Sequence, residues 1–374
     1  MSNYSSTIGR IAKPFNPMLV RQCFIIDGII FDYRTSQSET FEYVRLDKQY
    51  RYVSEQVSHH PPISACWAEA PNWRYFGEVD AQNKFMGKSF EIRPTGVAHA
   101  ELMIPEEWGP DYPPATQLIH KGKVTEHFSW KKVTTSVSGF ILGSPSIDHY
   151  GDMVVTNHRT GDQCILTFKP RGWRGKDAFE IYGRVMDSSG NVSYEIAGRW
   201  NSQLVARAVG TGFGNLHPDV KVGSPTPTSP TNGKEFILLW RNTEKPKAPF
   251  NLTPFAITLN DCPDDLKANL CPTDCRLRPD QRAFELGLYD RANDLKNKQE
   301  DFQRATRKAR EERRIPPHRP RWFEATTDGD TGERVWEPIR TKDGNLEYWN
   351  MRERVWMNTG TWTNVDKIFI DEDP

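Results

Sequence analysis

The sequence has no long apolar run and no excess of charge of either sign. Its longest apolar runs, such as residues 24–26 and 236–240, are far shorter than the ~20 residues that a transmembrane helix needs. Met1 is followed by polar residues rather than by the charged and apolar regions of a signal peptide. The 374 residues include 49 Lys and Arg against 49 Asp and Glu, so the net charge is zero and a uniformly basic, nucleic-acid-coating protein is excluded.

Cysteine is also sparse. The six cysteines are too few and too scattered for a disulfide scaffold, so a reducing, cytoplasmic location is expected. Cys271 and Cys275, with Cys262, match no standard metal or redox spacing, so idle thiols are expected and no metal or other cofactor is predicted. Apolar residues make up 37% of the chain, and 12 Trp and 19 Phe can fill a sizeable core, which excludes disorder of the whole chain.

Strand patterns dominate the first two-thirds of the sequence. Residues 153–168 and 179–196 each predict two strands around a short glycine-containing turn. Turns recur at short intervals, which favours a barrel or sandwich over a doubly wound sheet. The length fits two or three domains, or one large β domain with an appendage. A Ser-, Thr- and Pro-rich segment at residues 224–233 is predicted to be a mobile loop.

The pattern changes after residue 262. Helix-forming residues fill 280–314, and the prolines at 316 and 317 end the run, so this segment predicts one long helix or two helices broken near Gly287. The tail that follows is rich in tryptophan and is expected to pack onto the rest of the chain. Its tryptophans are Trp322, Trp336, Trp349, Trp356 and Trp362.

The most informative segment is Glu55–Ile63, in which His59 and His60 precede two prolines. Proline fixes φ, so the two imidazoles are predicted to lie on a stiff, extended backbone. Imidazole can donate hydrogen bonds to phosphate, and its protonated form adds charge. A metal site is the weaker interpretation, because adjacent side chains of an extended chain point to opposite faces and no H-E-x-x-H or C-x-x-C partner occurs. From residue types alone, a structural role and a ligand site both remain open.

The eight residues Glu55–Pro62, EQVSHHPP, resemble the signature of the oxysterol-binding protein family. Further segments resemble the lipid-binding domain of that family, in the family's order. They are residues 13–17 (KPFNP), 130–135 (WKKVTT), 168–173 (FKPRGW), 250–255 (FNLTPF), 278–282 (RPDQR) and 321–323 (RWF). The resemblance covers nearly all of the chain, and the motif set is most similar to that of fungal members.

The resemblance implies a mainly β fold. A nearly closed antiparallel β-barrel around a lipid tunnel would occupy residues 1–262, and a helical C-terminal subdomain in residues 263–374 would pack on it. It implies a monomeric lipid-transfer protein, not an enzyme, with phosphatidylinositol 4-phosphate as cargo, exchanged between membranes for a sterol or another lipid. The implied location is cytoplasmic and peripheral at anionic membrane surfaces, such as endoplasmic reticulum contact sites, with no nucleic-acid partner.

The motif matches also imply a headgroup site. Lys13 and Asn16 match the family's contacts to phosphate and inositol, and His59 and His60 match the pair that holds the 4-phosphate. A phosphomonoester carries about −1.5 to −2 charges near neutral pH, so several cations and hydrogen-bond donors suit it. No residue is assigned a catalytic or metal-binding role.

A second part of the implied site lies on the predicted helix. Lys296, Glu300 and Arg304 match the family's Lys-x-x-x-Glu-x-x-x-Arg spacing, and residues four apart share a helix face. Taken alone, such a triplet would be solvated helix surface. The basic stretch 304–314 has two interpretations that stay open, a solvated face and attraction to an anionic membrane.

Two departures from the family pattern carry their own expectations. The family runs from KPFNP through Leu-Gly directly into Glu-Thr-Phe-Glu, whereas here residues 20–38 stand before Glu39. We hypothesise a retained intron or a gene-prediction error, with a genuine loop as the alternative; the sequence of the transcript decides between them. Met1 stands where helices and a lid precede in the family, so an N-terminally truncated domain with weaker lipid retention is expected.

Two other functions remain as alternatives. A phosphoinositide sensor or tether would bind the headgroup at a membrane without extracting the lipid. An enzyme would use His59 and His60 as acid and base, although no nucleophile or metal partner in the sequence supports it.

Overall fold

A computed structural model of the chain describes most of the sequence. The described residues are 37–115, 121–139, 146–172, 175, 177–211, 214–220, 236–243 and 253–371. Lys13, Asn16, residues 20–36 of the insert and the predicted loop 224–233 therefore lie outside the described residues.

The described residues form two compact units. The barrel unit contains residues 71–75 and those between 79 and 243, and the mixed unit contains residues 37–70, 76–78 and 253–371. The division of the chain into domains at residue 262 stays a prediction.

The fold is mainly β, as the resemblance implied, with a large antiparallel sheet that partly closes into a ring and a helical C-terminal part. The strands are β1 (Thr40–Arg45), β2 (Tyr50–His59), β3 (Pro62–Ala70), β4 (Trp73–Phe85), β5 (Ser89–Pro94), β6 (Val97–Pro105), β7 (Lys123–Lys131), β8 (Thr134–Ser138), β9 (Ser146–Asn157), β10 (Gln163–Phe168), β11 (Glu180–Met186), β12 (Val192–Arg199), β13 (Gln203–Ala208), β14 (Ile237–Arg241), β15 (Phe323–Thr327) and β16 (Arg334–Pro338). Both hairpins predicted from turn patterns are confirmed, as the pairs β9–β10 and β11–β12.

The ring lies in the barrel unit. Strand β4 pairs with β5 and β6, β6 with β7, β7 with β9, β9 with β8, and β8 with β5, so the pairings return to β4. Strands β10 to β14 extend the sheet from β9 in chain order. Side chains alternate along these strands: in β10, Cys164, Leu166 and Phe168 are buried and belong to the apolar core of the unit.

The α-helices of the described residues lie in the mixed unit. They are α1 (Pro254–Ile257), α2 (Asp264–Lys267), α3 (Pro279–Glu285), α4 (Tyr289–Glu311) and α5 (Glu347–Trp356). Of the two predicted alternatives, one long helix and two helices broken near Gly287, the second is confirmed, because this residue separates α3 from α4 with a φ of 76°, a conformation that glycine adopts without strain. No helix within the described residues is long and apolar enough to cross a membrane.

The tryptophan-rich tail packs as predicted, with one exception. Trp322 and Trp349 are buried in an apolar cluster with residues of β2 and β3, and Trp336 and Trp362 pack against it. Trp356 instead is exposed at the end of α5. The tail therefore supplies much of the core that covers β2, the strand that ends at the histidine pair.

A buried charge network joins β1 to the C-terminal part of the mixed unit. Asp274, which is fully buried, forms a two-point ion pair with Arg276, with both distances 2.8 Å. Arg276 also donates to the carbonyl oxygen of Glu42. The Glu42 carboxylate accepts hydrogen bonds from the Tyr348 hydroxyl and from Arg352, at 2.7 and 2.8 Å. In this network, each buried charge has partners for its hydrogen-bonding groups, as a buried ion pair requires.

Candidate functional site

The histidine pair lies at the turn between β2 and β3. His59 is opposite Pro62 in the antiparallel pairing, and the peptide bond between His60 and Pro61 is cis. The predicted extended backbone is confirmed for His59, the last residue of β2, and is wrong for His60, which lies in the turn. As a result the imidazole rings lie together, with centroids 4.5 Å apart, rather than on opposite faces.

The opposite-face argument against a metal site fails with that geometry. Two imidazoles alone still make an incomplete site, since structural zinc needs four ligands and catalytic zinc three protein ligands. Within the described residues, no cluster of three potential ligands from His, Cys, Asp and Glu includes His59 or His60. The pair is better suited to hydrogen bonding than to metal binding.

The environment of His59 orients its ring. The side-chain amide of Gln56 lies within hydrogen-bonding distance of Nδ1 of His59, at 3.3 Å, which leaves Nε2 of the ring for another partner. Burial is the largest influence on this half-buried group and lowers the pKa of His59, and the charges of His60 and Arg307 lower it further. An anionic ligand would oppose all three influences on the pKa, because it would stabilise the protonated imidazole.

Arg307, on α4, joins the pair from the other side. Its Nη1 lies 3.4 Å from Nε2 of His60, and the two residues are 247 positions apart in the chain. We call His59, His60 and Arg307 the histidine cluster. Both His60 and Arg307 are exposed, so the cluster is open to solvent.

The predicted helix residues lie on the same helix but make no contact with the histidine pair among the described hydrogen bonds and ion pairs. Arg304 ion-pairs with Glu300 at 3.6 Å and with Asp301 at 2.6 Å. With 1.5 Å of rise per residue, Arg304 precedes Arg307 by roughly 5 Å along the axis and Lys296 precedes it by roughly 16 Å. Arg304 is thus within one turn of the cluster, whereas Lys296 is about three turns away.

Sequence reasoning missed Arg307 as a site residue. It follows Arg304 by three positions, so it continues the helix face of Glu300 and Arg304. This three-residue spacing from Arg304 is the sequence pattern by which Arg307 could have been identified as a site residue. Lys13 and Asn16, the other two implied headgroup contacts, lie outside the described residues.

The basic stretch 304–314 is largely neutralised by acidic neighbours. Five of its six cations form ion pairs, three of them with acids of the same segment and one with acids of the preceding helical turn. The pairs are Arg304 with Glu300 and Asp301, Arg307 with Glu311, Lys308 with Glu312, Arg310 with Asp366 and Arg314 with Glu312. This arrangement favours a solvated helix face over a surface that attracts membranes.

Glu55 anchors the strand that carries the histidines. Its carboxylate is buried and accepts hydrogen bonds from the backbone N–H groups of Arg321 and Trp322, at 2.7 and 2.8 Å. Burial outweighs these hydrogen bonds and raises the pKa of Glu55 to about 7. The first residue of EQVSHHPP thus holds β2 against the RWF segment, four positions before His59.

The chain matches known proteins along most of its length. The family model described as oxysterol-binding protein matches residues 1–353. Oxysterol-binding protein homolog 2 of Saccharomyces cerevisiae is 40% identical over 336 residues, which are 90% of this chain and 24% of the relative. Homolog 1 of the same yeast is 38% identical over 354 residues, 94% of this chain and 26% of the relative. The chain therefore spans about a quarter of the length of these two relatives.

Solved structures share the fold. The Osh1 ORD domain in complex with ergosterol is 38% identical, with a TM-score of 0.70 and coverage of 86% of this chain and 70% of that chain. The same domain in complex with cholesterol is 33% identical, with a TM-score of 0.71 and coverage of 95% and 82%. The Saccharomyces cerevisiae Osh3 ORD in complex with PI(4)P, at 23% identity and a TM-score of 0.66 over 99% and 88%, shows the shared fold alone.

Proposed function

The chain belongs to the oxysterol-binding protein family of lipid-binding and lipid-transfer proteins, and on that premise we propose that it carries phosphatidylinositol 4-phosphate between membranes. In the proposed cycle a sterol or another lipid moves in exchange. The protein acts as a monomer, peripherally at anionic cytoplasmic membrane surfaces such as endoplasmic reticulum contact sites.

The histidine cluster is the observation that carries this proposal. Two imidazoles 4.5 Å apart and one guanidinium converge at a solvent-open turn. A monoester phosphate offers three acceptor oxygens and about −1.5 to −2 charges, and hydrogen bonds from charged donors to such oxygens are the strong ones. The imidazole of His59 and the guanidinium of Arg307 are the first groups that the geometry offers to such a phosphate.

The rest of the proposed headgroup site comes from the motif matches. Lys296, Glu300 and Arg304 extend the site along α4, and Lys13 and Asn16 complete it. We assign Glu300 to an inositol hydroxyl and to the guanidinium of Arg304, with which it already pairs. Support for a sterol as the second cargo comes from the Osh1 ORD structures that hold ergosterol and cholesterol, at 38% and 33% identity.

Liposome-to-liposome transfer of labelled phosphatidylinositol 4-phosphate tests the proposal. We expect the full chain to transfer the lipid and His59→Ala/His60→Ala to lose both transfer and binding. Lys308→Ala, which removes a cation of the same helix that pairs with Glu312, is the matched control and should transfer normally. Binding without transfer by the unaltered chain would favour a sensor or tether, and normal transfer by the double variant would refute the site.

A further inference from the structure

The hairpin between β4 and β5 ends in an exposed apolar tip. Phe85, the last residue of β4, is 62% exposed, and Met86 in the turn is 47% exposed. Gly87 follows with a φ of 81°, which allows the tight turn without strain. Large apolar side chains are seldom placed at such a turn, where turn residues are commonly polar or small.

Phe85 begins an apolar row that crosses four strands of the barrel unit. It is opposite Phe90, Phe90 is opposite Val137, and Val137 is opposite Ile147. Directly opposite residues of antiparallel strands lie on the same face of a sheet, so the four side chains form one continuous strip. Ile147, at the far end, is 51% exposed. We call this strip, together with Met86, the apolar tip.

Positive charge flanks the apolar tip. Lys84 and Lys88 stand on either side of Phe85 and Met86, and neither forms a salt bridge with any residue that the structure describes. The nearest acid on the hairpin, Glu91, lies opposite Lys84 in the strand pairing and is already engaged by Arg93 and by the Tyr150 hydroxyl, each at 2.7 Å. Between residues 84 and 93, the three cations Lys84, Lys88 and Arg93 thus stand against the one carboxylate of Glu91, which leaves a surplus of positive charge beside an exposed apolar strip.

We propose that the apolar tip is a membrane-insertion site for the surface of an anionic bilayer. Phe85, Met86 and Ile147 enter the boundary between headgroups and acyl chains, and Lys84 and Lys88 contact anionic headgroups. Surfaces that combine apolar side chains with flanking lysines bind anionic bilayers, because the lysine stems bury against apolar groups while the ammonium stays at the headgroups. A protein partner would not by itself require the surplus of positive charge.

The apolar tip shares no residue with the histidine cluster and needs no phosphoinositide. It therefore adds a docking function to the proposed cargo site, and its test uses vesicles that contain no phosphoinositide. Such vesicles keep the two proposals distinguishable, since His59→Ala/His60→Ala should bind them as the unaltered chain does.

The test is sedimentation with vesicles of phosphatidylcholine and about 30% phosphatidylserine, a composition with strong negative surface potential. We expect Phe85→Ser/Met86→Ser to lower vesicle affinity by about tenfold or more, since two large apolar side chains lose their burial. The matched control is Leu46→Ser, which removes an apolar side chain that is 86% exposed in the mixed unit and should not change binding.

A second double variant keeps the proposal testable if Phe85→Ser/Met86→Ser fails to fold. Lys84→Gln/Lys88→Gln keeps the apolar tip and should lower affinity for the anionic vesicles by about tenfold, while leaving the weaker binding to pure phosphatidylcholine unchanged. Full affinity in either double variant, an equal loss in Leu46→Ser, or no vesicle binding by the unaltered chain would overturn the proposal. The proposal would also be overturned if the unaltered chain formed a dimer that Phe85→Ser/Met86→Ser dissociates without changing vesicle binding. The apolar tip would then be an interface between two copies of the chain.

Discussion

The mixed unit contains two groups of charged residues that look alike in the sequence and differ in the structure. The buried charge network, around Asp274 and Arg276, is enclosed and its charges have partners within the chain. The histidine cluster, by contrast, is open to solvent and sets two imidazoles and one guanidinium beside the carboxylate of Glu311, which pairs with Arg307 at 3.6 Å. Charge that is satisfied internally stabilises the fold, whereas charge left facing solvent without equal opposite charge is available to a ligand.

The residues of the family motifs also divide into buried residues with partners inside the chain and residues that reach solvent. Arg278 and Asp280, from the segment RPDQR, are buried and bind each other through two hydrogen bonds of 2.8 and 2.9 Å. Glu55, from EQVSHHPP, is buried against backbone N–H groups. The second half of that signature, from Ser58 to Pro62 and including both histidines, reaches solvent. A family motif can therefore mark a structural ion pair as readily as a ligand contact, and burial tells the two apart.

The largest effect is expected from breaking the network. Asp274→Ala leaves the buried guanidinium of Arg276 without its carboxylate, and an uncompensated buried charge destabilises a protein by about 3–5 kcal/mol. Urea unfolding measures the change. Asp301→Ala is the matched control, because it removes the partner of an exposed arginine, Arg304, and should change the free energy of unfolding by less than about 1 kcal/mol. Equal losses in the two variants would refute the distinction.

The next effect is a pH dependence at Glu55. Its folded pKa of about 7 exceeds the ordinary value of 4.5, so the folded chain holds the proton more tightly than the unfolded chain. This contribution to stability is fully present below about pH 4.5 and is lost as the pH rises through 7, by about 3 kcal/mol in all. Relative to Glu55→Gln, the unaltered chain should therefore lose free energy of unfolding between these pH values. Parallel pH profiles of the two proteins would contradict the assignment.

At the histidines a smaller effect is expected, and it falls on ligand affinity rather than on the free energy of unfolding. His59→Ala/His60→Ala should change the free energy of unfolding by less than about 1 kcal/mol, because the turn is solvent-open. Its affinity for short-chain phosphatidylinositol 4-phosphate should fall by at least about tenfold, since two donors to the phosphate are lost. Calorimetry gives the affinity and urea unfolding the stability. A destabilisation as large as that of Asp274→Ala would place the pair with the structural residues.

The smallest effect sharpens the comparison within α4. Arg307→Ala should weaken binding of the same short-chain lipid by about tenfold, the loss of one hydrogen bond from a charged donor. Lys308→Ala, one position further on, should leave the affinity unchanged. If both variants weaken binding equally, the helix acts through its overall charge and not through the contact of Arg307 with His60.

The sequence predicted the fold class and the helix break well, for identifiable reasons. Alternating strand patterns and short turns are local features, and the hairpins β9–β10 and β11–β12 follow from them. Gly287 could be recognised as a break because glycine tolerates positive φ. Packing of the tail could be predicted for the same reason, because a local concentration of tryptophans predicts burial. That concentration did not distinguish the exposed Trp356 from the other tryptophans.

The candidate site could be predicted only in part, because its geometry depends on contacts between distant segments. The imidazoles lie together at the turn between β2 and β3, and the pairing of these two strands was not among the predicted hairpins. Arg307 contacts His60 although the two residues are 247 positions apart in the chain, and no local sequence pattern predicts that contact. The acidic partners of the basic stretch were visible at i+4 spacing for Arg307 and Lys308, yet Asp366, the partner of Arg310, comes from the tail.

Titration of the histidine rings by NMR tests the central claim most directly. The nine histidines can be assigned through single His→Gln variants, and the pKa of His59 followed with and without ligand. In the free protein this pKa lies below its ordinary value, because of burial and the neighbouring charges of His60 and Arg307. Short-chain phosphatidylinositol 4-phosphate should raise it by about one unit or more, whereas phosphatidylinositol should not. Unchanged signals of His59 and His60 at saturating phosphatidylinositol 4-phosphate would contradict the account.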